Sequence, residues 1–151
     1  MEIIHHILKF SSKTKLEFID ITDDVQRFIE RSKIKNGLVN VFTMHTTTSI
    51  KINEREEGFH QDFKAFIQEL LPVSRNYLHD DFEKRDKSTM CNISDECANG
   101  HSHCQQMLIG TSSEHVPIID GKMALGRWQR IFLIELDKPR KREVMVSVIG
   151  K

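Results

Sequence analysis

One mostly apolar run constrains the fold of this chain more than any other feature. The run extends from Leu38 to His45 and ends directly in the polar sequence His45-Thr46-Thr47-Thr48-Ser49. A strand with so little polar surface is typical of the middle of a sheet, where both faces are covered. We therefore predict a central strand over Leu38–His45 that places a histidine and several hydroxyl groups at the edge of that sheet.

The rest of the chain predicts a mixture of strands and helices. Further strands are predicted where apolar and β-branched residues predominate or alternate, over Ile3–Phe10, Leu16–Ile21, Val116–Ile119 and Glu143–Ile149, with one more within Met123–Glu135. Three segments have helical signals: one with Thr22 as its N-cap, one from about Glu54 to Pro72, and one from His101 to Gly110. Asp120-Gly121 is a typical hairpin turn, and the mixture indicates an α+β fold class.

Composition excludes several classes of protein. The 22 basic and 22 acidic residues balance, which argues against a general binder of nucleic acid or of anionic membranes. No signal peptide and no apolar run of about 20 residues is visible, so we expect a cytoplasmic protein. Three closely spaced cysteines, Cys91, Cys97 and Cys104, fit a reducing compartment better than a disulfide scaffold. Without a Pro/Gly/Ser-rich linker, residues 1–151 are predicted to form one domain.

The first candidate site follows the central strand. Hydroxyl groups such as those of Thr47 and Ser49 can cradle a phosphate, and His45 can transfer a proton near neutral pH. The structural alternative is a Thr-rich surface strand, because threonine favours β structure. Asn53-Glu54 follows closely and is also typical of a helix start.

The second candidate site is His79-Asp80-Asp81, within the irregular stretch from Val73 to Gly100. An imidazole beside two carboxylates can form a His–carboxylate pair or bind Mg²⁺ through oxygen. The alternative is a solvated acidic loop. A long irregular segment in a small domain is often functional or partly disordered.

The third candidate site is the sequence Asn99-Gly-His-Ser-His103-Cys104. Zinc prefers a tetrahedral set of His and Cys ligands, but the cysteines here show no Cys-x-x-Cys pair, so a zinc knuckle is disfavoured. A metal site with an open position, built from His45, His79 and His103 on separate segments, is more plausible.

The fourth candidate region comprises Gly126-Arg-Trp128-Gln129 and the basic run from Lys138 to Arg142. A tryptophan on a strand is more often a core or interface residue than a ligand platform. Glu135 and Arg140 are placed to pair across a hairpin, and the basic run is typical of a solvated surface or a small anion site.

Taken together, these segments resemble a known family in order and spacing. The resemblance rests on His45-Thr-Thr-Thr-Ser49 with Asn53-Glu54, Tyr77-x-His79-Asp80, Asn99-Gly-His-Ser-His103, Gly110-Thr-Ser112, Leu125-Gly-x-Trp-Gln129 and Asp137-x-Pro-Arg140-x-Arg142. The chain is similar, over nearly its whole length, to the YjbQ-like family, which is usually named for a secondary thiamine-phosphate synthase activity. Lys138 departs from the pattern, because the family has glycine at this position of its terminal Asp-Gly-Pro-Arg turn.

The resemblance implies a compact α+β fold, mainly antiparallel sheet with two or three helices, that assembles as a homotrimer with polar sites near subunit boundaries. It also implies a reaction that joins hydroxymethylpyrimidine diphosphate to a thiazole phosphate and releases pyrophosphate. Because the activity is secondary, the physiological substrate can differ from these precursors.

The resemblance also suggests roles for individual residues. Catalytic roles fall to His45, His79, Asp80 and His103, and the metal set is His45, His79 and His103. Substrate-binding roles fall to Thr47, Ser49, Asn53, Glu54, Ser112, Trp128, Gln129, Arg140 and Arg142. Asp80 and Asp81 are the candidates for Mg²⁺, the two arginines and the hydroxyls for phosphate, and Trp128 for stacking on a pyrimidine ring.

Two further functions stay open at the level of sequence. One is a hydrolase in which His45, His79 and His103 hold Zn²⁺ and activate a water molecule. The other is a non-enzymatic trimer that binds an anion or a small metabolite through Arg140 and Arg142. All three functions imply a small, usually phosphorylated, metabolite as partner, and neither nucleic acid nor a membrane.

Overall fold

A computed structural model describes residues 1–90 and 96–151 of the chain. The strands are β1 (Glu2–Ser11), β2 (Phe18–Asp20), β3 (Gly37–Thr43), β4 (Thr48–Glu54), β5 (Ser113–Ile119), β6 (Lys122–Met123), β7 (Gln129–Glu135) and β8 (Lys141–Gly150). The α-helices are α1 (Thr22–Ser32), α2 (Glu57–Leu70) and α3 (Gly100–Ile109), with short 3₁₀ turns at Leu78–Asp80 and Lys87–Thr89.

The strands form two antiparallel sheets. The larger has the order β1-β8-β3-β5-β6 and the smaller has the order β2-β7-β4. Strand β3 occupies the middle of the larger sheet, as its apolar sequence predicts. Antiparallel sheets combined with three helices confirm the α+β fold class.

The main core lies between the two sheets. The larger sheet contributes alternate residues of its central strands, among them Val39, Val41, Val144, Val146 and Val148, all fully buried. They pack with Ile50 of β4, with Ile131 and Leu133 of β7, and with Val25 and Ile29 of α1. Successive side chains of a strand point to opposite faces, so one alternating set of valines can cover a whole face of the sheet.

A second core lies on the other face of the smaller sheet. Phe132 and Ile134 alternate with the inward residues of β7 and pack with Ile67 of α2 and with Leu16. Strand β7 is therefore buried on both faces, which explains its nearly unbroken apolar sequence. Within the described residues, no helix is long and apolar enough to cross a membrane.

Several local predictions are confirmed. Helix α3 ends where Gly110 adopts a positive φ of 65°, a conformation that glycine adopts without strain. Asp120 and Gly121 have φ values of 50° and 77° and join β5 to β6 as the predicted turn.

Two predicted strands are shorter than their apolar segments. The strand predicted within Met123–Glu135 is β7, which begins at Gln129, because the chain leaves the larger sheet after Met123 and enters the smaller one only there. The strand predicted over Leu16–Ile21 is limited to Phe18–Asp20, and Leu16 instead has a φ of 53°.

Thr22 is the first residue of α1 and not its cap. Its hydroxyl donates to Asp20 and accepts the backbone N–H of Ile131, so it ties the helix to the smaller sheet. The predicted capping role is therefore replaced by a tertiary contact.

Candidate functional site

The segment that joins β7 to β8 carries four of the charged residues in the candidate site. Glu135, Asp137, Arg140 and Arg142 follow one another within eight positions. They form two ion pairs, Arg142 with Glu135 and Arg140 with Asp137. The expected pairing of Glu135 with Arg140 is wrong, because the chain turns between Asp137 and Arg140 and brings Arg142 to Glu135 instead.

The first pair belongs to a group that we call the closed cluster: Arg142, Glu135, Ser12 and Thr47. Arg142 donates from Nε to Glu135 Oε2 at 2.7 Å and from Nη2 to the hydroxyl of Thr47 at 3.1 Å. Ser12 donates to Glu135 Oε2 at 2.8 Å. Arg142 is 4% exposed and Glu135 is 0% exposed. Nε and Nη2 of Arg142 are thus used within the protein, which indicates a structural role for this buried guanidinium.

The second pair belongs to an open network around Asp137. Arg140 Nη2 lies 2.7 Å from Asp137 Oδ2, which also accepts a hydrogen bond from Asn99 Nδ2 at 3.0 Å. Burial alone raises the pKa of Asp137, but the bond from Asn99 and the charge of Arg140 outweigh it, so the pKa is lowered. Asp137 is therefore an anion at neutral pH.

Two histidines extend this network. The Nε2 atom of His79 lies 3.2 Å from the side-chain oxygen of Asn99, and its ring centre is 4.5 Å from that of His103. Burial lowers the pKa of His103, and the nearby His79 and Arg85 lower it further. His103 is therefore neutral at pH 7 and able to accept a proton.

The turn that carries His79 is held against the start of α3. The backbone N–H of Gly100 donates to Asp80 Oδ1 at 2.9 Å, so Asp80 satisfies one of the unpaired donors at the helix start. A Cβ atom on Gly100 would lie 2.6 Å from Cβ of Tyr77 and 3.1 Å from Cβ of His79. Only glycine permits this approach, which places His79 beside His103.

His45 lies just after β3, near the closed cluster. Its Nε2 atom accepts the backbone N–H of Glu143 at 2.8 Å, so the ring proton is on Nδ1 when the imidazole is neutral. Burial lowers the pKa of His45, and so does the charge of Arg142. The predicted polar edge of the sheet is present, but His45 is anchored by the backbone through Nε2.

A cavity of about 470 Å³ opens beside Asp137, and we call it the Asp137 cavity. Its lining includes Lys15, Glu96, Cys97, His101, Asp137 and Lys138. Arg140 borders it, since its Nη2 atom contacts both Asp137 and, at 3.0 Å, the sulfur of Cys97. The volume falls within the range of about 300–1,000 Å³ that is typical of small-molecule sites.

Sequence reasoning missed two residues of this cavity as site residues. Lys15 lies in the irregular segment between β1 and β2 and belongs to no motif, so no sequence signal identifies it. His101 lies in the Asn99–Cys104 motif, but helical spacing alone does not show that it is buried, at 4% exposure. The tertiary fold alone brings Lys15 to His101 and Asp137.

Four predicted substrate-binding residues lie elsewhere. Strands β4 and β7 pair in a register that places Glu54 opposite Gln129, whereas Thr48 is opposite Glu135. Gln129 and Glu135 are six residues apart, or about 20 Å in an extended strand. Asn53, Glu54, Trp128 and Gln129 therefore lie at the end of the smaller sheet remote from the Asp137 network, where Arg127 covers the ring of Trp128 at 4.7 Å.

Two other predicted residues have structural contacts. The hydroxyl of Ser49 is fully buried and donates to the carbonyl oxygen of Gly110 at 2.7 Å. The hydroxyl of Ser112 accepts from Gln106 at 3.4 Å. Both bonds connect strands to the C-terminal end of α3, away from the helix start that faces Asp137.

The predicted metal ligands are only partly assembled. Among residues 1–90 and 96–151, no three His, Cys, Asp or Glu side chains lie together as a cation-binding group. His79 and His103 are adjacent, but His45 is bonded to Glu143. Asp81 pairs with Lys84 at 2.9 Å, and Cys91 lies outside the described residues.

The sequence matches the family described as "UPF0047 protein YjbQ-like" over residues 6–151. A UPF0047 protein of Methanothermobacter thermautotrophicus is 38% identical over 151 residues, which cover all of this chain and 95% of that protein. The UPF0047 protein YugU of Bacillus subtilis is 28% identical over 95% of this chain and 97% of its own.

Solved structures show the same fold. The crystal structure of a YbjQ-like protein of unknown function from Sulfolobus solfataricus has a TM-score of 0.84 and 32% identity, with 99% of each chain covered. A hypothetical protein from Aeropyrum pernix has a TM-score of 0.78 and 28% identity, with 100% of each chain covered.

Proposed function

Since this chain belongs to the UPF0047 YjbQ-like family, we propose that it is an enzyme that transfers a group from a phosphorylated small metabolite. The specific reaction that we propose is a secondary thiamine-phosphate synthase activity. Hydroxymethylpyrimidine diphosphate is joined to a thiazole phosphate, and pyrophosphate leaves.

One observation carries this proposal: three segments that are distant in sequence meet in one hydrogen-bonded network. The bond from Asn99 to Asp137 and the contact of Asn99 with His79 connect the 3₁₀ turn, the start of α3 and the segment after β7. The network borders a cavity of small-molecule size and holds two imidazoles whose ring centres are 4.5 Å apart. Titratable groups with shifted pKa values beside a cavity are typical of catalytic sites.

The residues can supply the chemistry that this reaction needs. Loss of pyrophosphate develops negative charge on the leaving oxygen, which fixed cationic donors stabilise. Arg140 is the cation of the network, and its partly exposed guanidinium borders the cavity. The thiazole nitrogen attacks the methylene carbon as the C–O bond to the diphosphate breaks, and this nitrogen carries no proton to be removed. His103, neutral because burial lowers its pKa, can donate its ring N–H to an oxygen of the departing pyrophosphate.

A divalent cation is part of the proposal, as Mg²⁺ or as Zn²⁺ held by histidines. When bound, it would neutralise charge on the leaving pyrophosphate. Within one subunit, the described residues offer His79 and His103 as a pair of ligands, so a third ligand would come from substrate, solvent or a second subunit. Asp80 accepts the hydrogen bond from Gly100 through Oδ1, so its Oδ2 atom can contact the cation.

We also propose that the protein works as a cytoplasmic homotrimer. An apolar groove beside His103 supports this assembly, because its lining includes Leu70, Met107 and Leu108, which are 45%, 81% and 54% exposed. Apolar groups so exposed are typical of protein–protein contacts. Light scattering after size-exclusion chromatography should give about three times the chain mass of 17.6 kDa.

The test is to incubate the purified protein with both thiamine precursors and Mg²⁺. Thiamine phosphate is measured by mass spectrometry and pyrophosphate by ³¹P NMR. We expect both products in equal amounts, and we expect His103→Ala to lower the rate by about 10²–10³-fold through loss of a hydrogen-bond donor to the leaving pyrophosphate. The matched control is His115→Ala, which removes an exposed histidine of β5 and should leave the rate unchanged.

The same assay separates the alternatives. Pyrophosphate or phosphate released without the thiazole partner, together with about one equivalent of zinc per chain in elemental analysis, would indicate the hydrolase that the His79–His103 pair favours. Binding of precursors without any product would indicate a non-enzymatic module. Either result contradicts the transferase.

A further inference from the structure

We propose that the Asp137 cavity is an oxyanion-binding subsite in which Lys15 Nζ, His101 Nδ1 and Arg140 Nε donate hydrogen bonds to a phosphate or diphosphate group. The site shares Arg140 with the phosphate site predicted from sequence, but Lys15 and His101 take the place of Arg142 and of the hydroxyls of Thr47, Ser49 and Ser112. The inference rests on the proposed function only for the identity of the anion as a phosphate of the substrate.

The first argument is that the three nitrogen atoms are buried and have no hydrogen-bond partner among the described residues. Lys15 and His101 line the cavity directly, and Arg140 borders it through Asp137 and Cys97. Buried polar groups are nearly always hydrogen-bonded in folded proteins, because an unpaired one is destabilising. Lys15 Nζ, as an ammonium, and Arg140 Nε are donors, and His101 Nδ1 is a donor in the tautomer that carries its ring proton there, so the three atoms indicate a ligand that accepts hydrogen bonds.

The second argument is the charge balance of the cavity. Both carboxylates at its wall are already paired, Asp137 with Arg140 at 2.7 Å and Glu96 with Arg85 at 3.2 Å. In the described part of the chain, no carboxylate lies within ion-pair distance of Lys15 or Lys138, the two lysines of the lining. The wall therefore has two cations in excess, which favours an anionic ligand.

The third argument concerns Lys15 itself. Burial lowers the pKa of Lys15, and the charge of Asp137 only partly opposes this effect. A buried ammonium group without a bonded counter-ion is destabilising, and an anion in the cavity would remove that cost. The site is thus arranged to gain stability when an anion binds.

The fourth argument is the number and kind of donors. Arg140 already uses Nη2 for Asp137 and Cys97, whereas its buried Nε has no partner among the described residues and can serve a ligand. Ammonium, imidazole and guanidinium groups come from three separate elements, and a tetrahedral oxyanion has an oxygen for each. Charge-assisted bonds of this kind are the usual way in which proteins hold phosphate.

Isothermal titration calorimetry with inorganic pyrophosphate, at constant ionic strength and without other substrates, tests the subsite. We expect binding by the wild-type protein, and Lys15→Met should weaken it about 10-fold or more through loss of a charge-assisted bond. The matched control is Lys13→Met, which removes an exposed lysine two positions away and should leave the affinity within about twofold. Lys15→Gln, which also removes the charge, should behave as Lys15→Met does.

Three outcomes would overturn the inference: no binding of pyrophosphate by the wild type, unchanged affinity in both Lys15 variants, or an equal loss in Lys13→Met. The last would show a long-range charge effect and not a subsite. Because the titration needs no turnover, a transferase that fails in the precursor assay can still bind pyrophosphate through Lys15. Conversely, the enzyme can be active while the Lys15 variants bind pyrophosphate as tightly as the wild type does. That result would support the proposed function and contradict the subsite.

Discussion

The closed cluster and the Asp137 cavity show two uses of the same residue types. Arg142 and Glu135 are 4% and 0% exposed, and Ser12 and Thr47 complete their hydrogen bonds. Arg140 and Asp137 form a similar pair only a few residues away, yet they border a cavity of about 470 Å³ in which donors are left unpaired.

The two regions have the same charges but differ in whether their buried donors and acceptors have hydrogen-bond partners. This difference separates a structural ion pair from a candidate binding site. A buried pair whose two charges are hydrogen-bonded to each other and to neighbouring hydroxyl groups mainly holds strands together. A pair beside unpaired donors can take part in binding a ligand through those donors.

Four predictions test this comparison, in order of decreasing expected effect.

The largest effect is expected for Arg142→Met. The substitution keeps an apolar side chain in place but leaves Glu135 as an uncompensated charge at 0% exposure. We expect the free energy of unfolding to fall by about 3–5 kcal/mol, measured by urea denaturation. The double variant Arg142→Met/Glu135→Met should recover part of the loss, because it removes both charges. A double variant less stable than the single one would contradict the assignment of the cost to the charge.

The second prediction concerns the approach of Tyr77 to α3. Gly100→Ala places a Cβ atom 2.6 Å from Cβ of Tyr77, so the turn that carries His79 must shift. We expect a loss of about 1–3 kcal/mol in the free energy of unfolding, from overpacking. The rate of pyrophosphate release should fall as well.

Gly126→Ala is the matched control for that variant. Its added Cβ would meet only the flexible side-chain oxygen of Gln129 at 3.2 Å, far from the Asp137 network. Its stability and rate should stay close to those of the wild type. If Gly100→Ala is as stable and as active as this control, the close approach does not position His79.

The third prediction is a smaller loss of stability on acidification. Burial lowers the pKa of His45, beside the closed cluster, and of His103, which lines the apolar groove beside His79. The unfolded chain, with imidazoles near their ordinary pKa of about 6.5, then binds more protons than the folded chain. This stability is present above the unfolded pKa of about 6.5, begins to fall as the pH drops below that value, and is lost as the pH falls through the lowered pKa values of the folded imidazoles.

Urea midpoints at pH 7.5, 6.5 and 5.5 measure this effect. His45→Gln and His103→Gln should each flatten the dependence, since each removes one site of differential protonation. A midpoint that rises on acidification would show that the folded imidazoles are stabilised as cations instead.

The smallest effect on stability is expected for Lys15→Met. Lys15 Nζ is buried and has no bonded partner among the described residues, so the ammonium group contributes no ion pair that could be lost. We expect the free energy of unfolding to stay within about 1 kcal/mol of the wild-type value or to rise above it. A loss comparable to that of Arg142→Met would place Lys15 in the scaffold and remove the contrast between the two regions.

Much of the fold follows from local patterns in the sequence. The apolar run at Leu38, the alternation of Val144, Val146 and Val148, and the Asp120-Gly121 turn all appear in the structure as predicted. The strand predicted within Met123–Glu135 is present as β7, but its start at Gln129 is not predictable, because an apolar composition does not reveal where a chain passes from one sheet to another.

The candidate site is less predictable. Arg140 and Arg142 look equivalent in sequence. In the structure Arg140 borders the Asp137 cavity, whereas Arg142 belongs to the closed cluster. Asn53 and Trp128 were grouped with the site by motif, but the register of β4 on β7 places them at the far end of the sheet.

The sequence by itself determined the α+β class, the central strand, the family and the polar segments that surround the Asp137 network. Those features depend on the order and period of neighbouring residues, which the chain carries in full. The tertiary structure alone brings Lys15 to His101 and Asp137 and pairs Arg142 with Glu135. Whether a charged side chain binds a ligand depends on which buried donors and acceptors remain unpaired, and that follows from contacts between residues far apart in the chain.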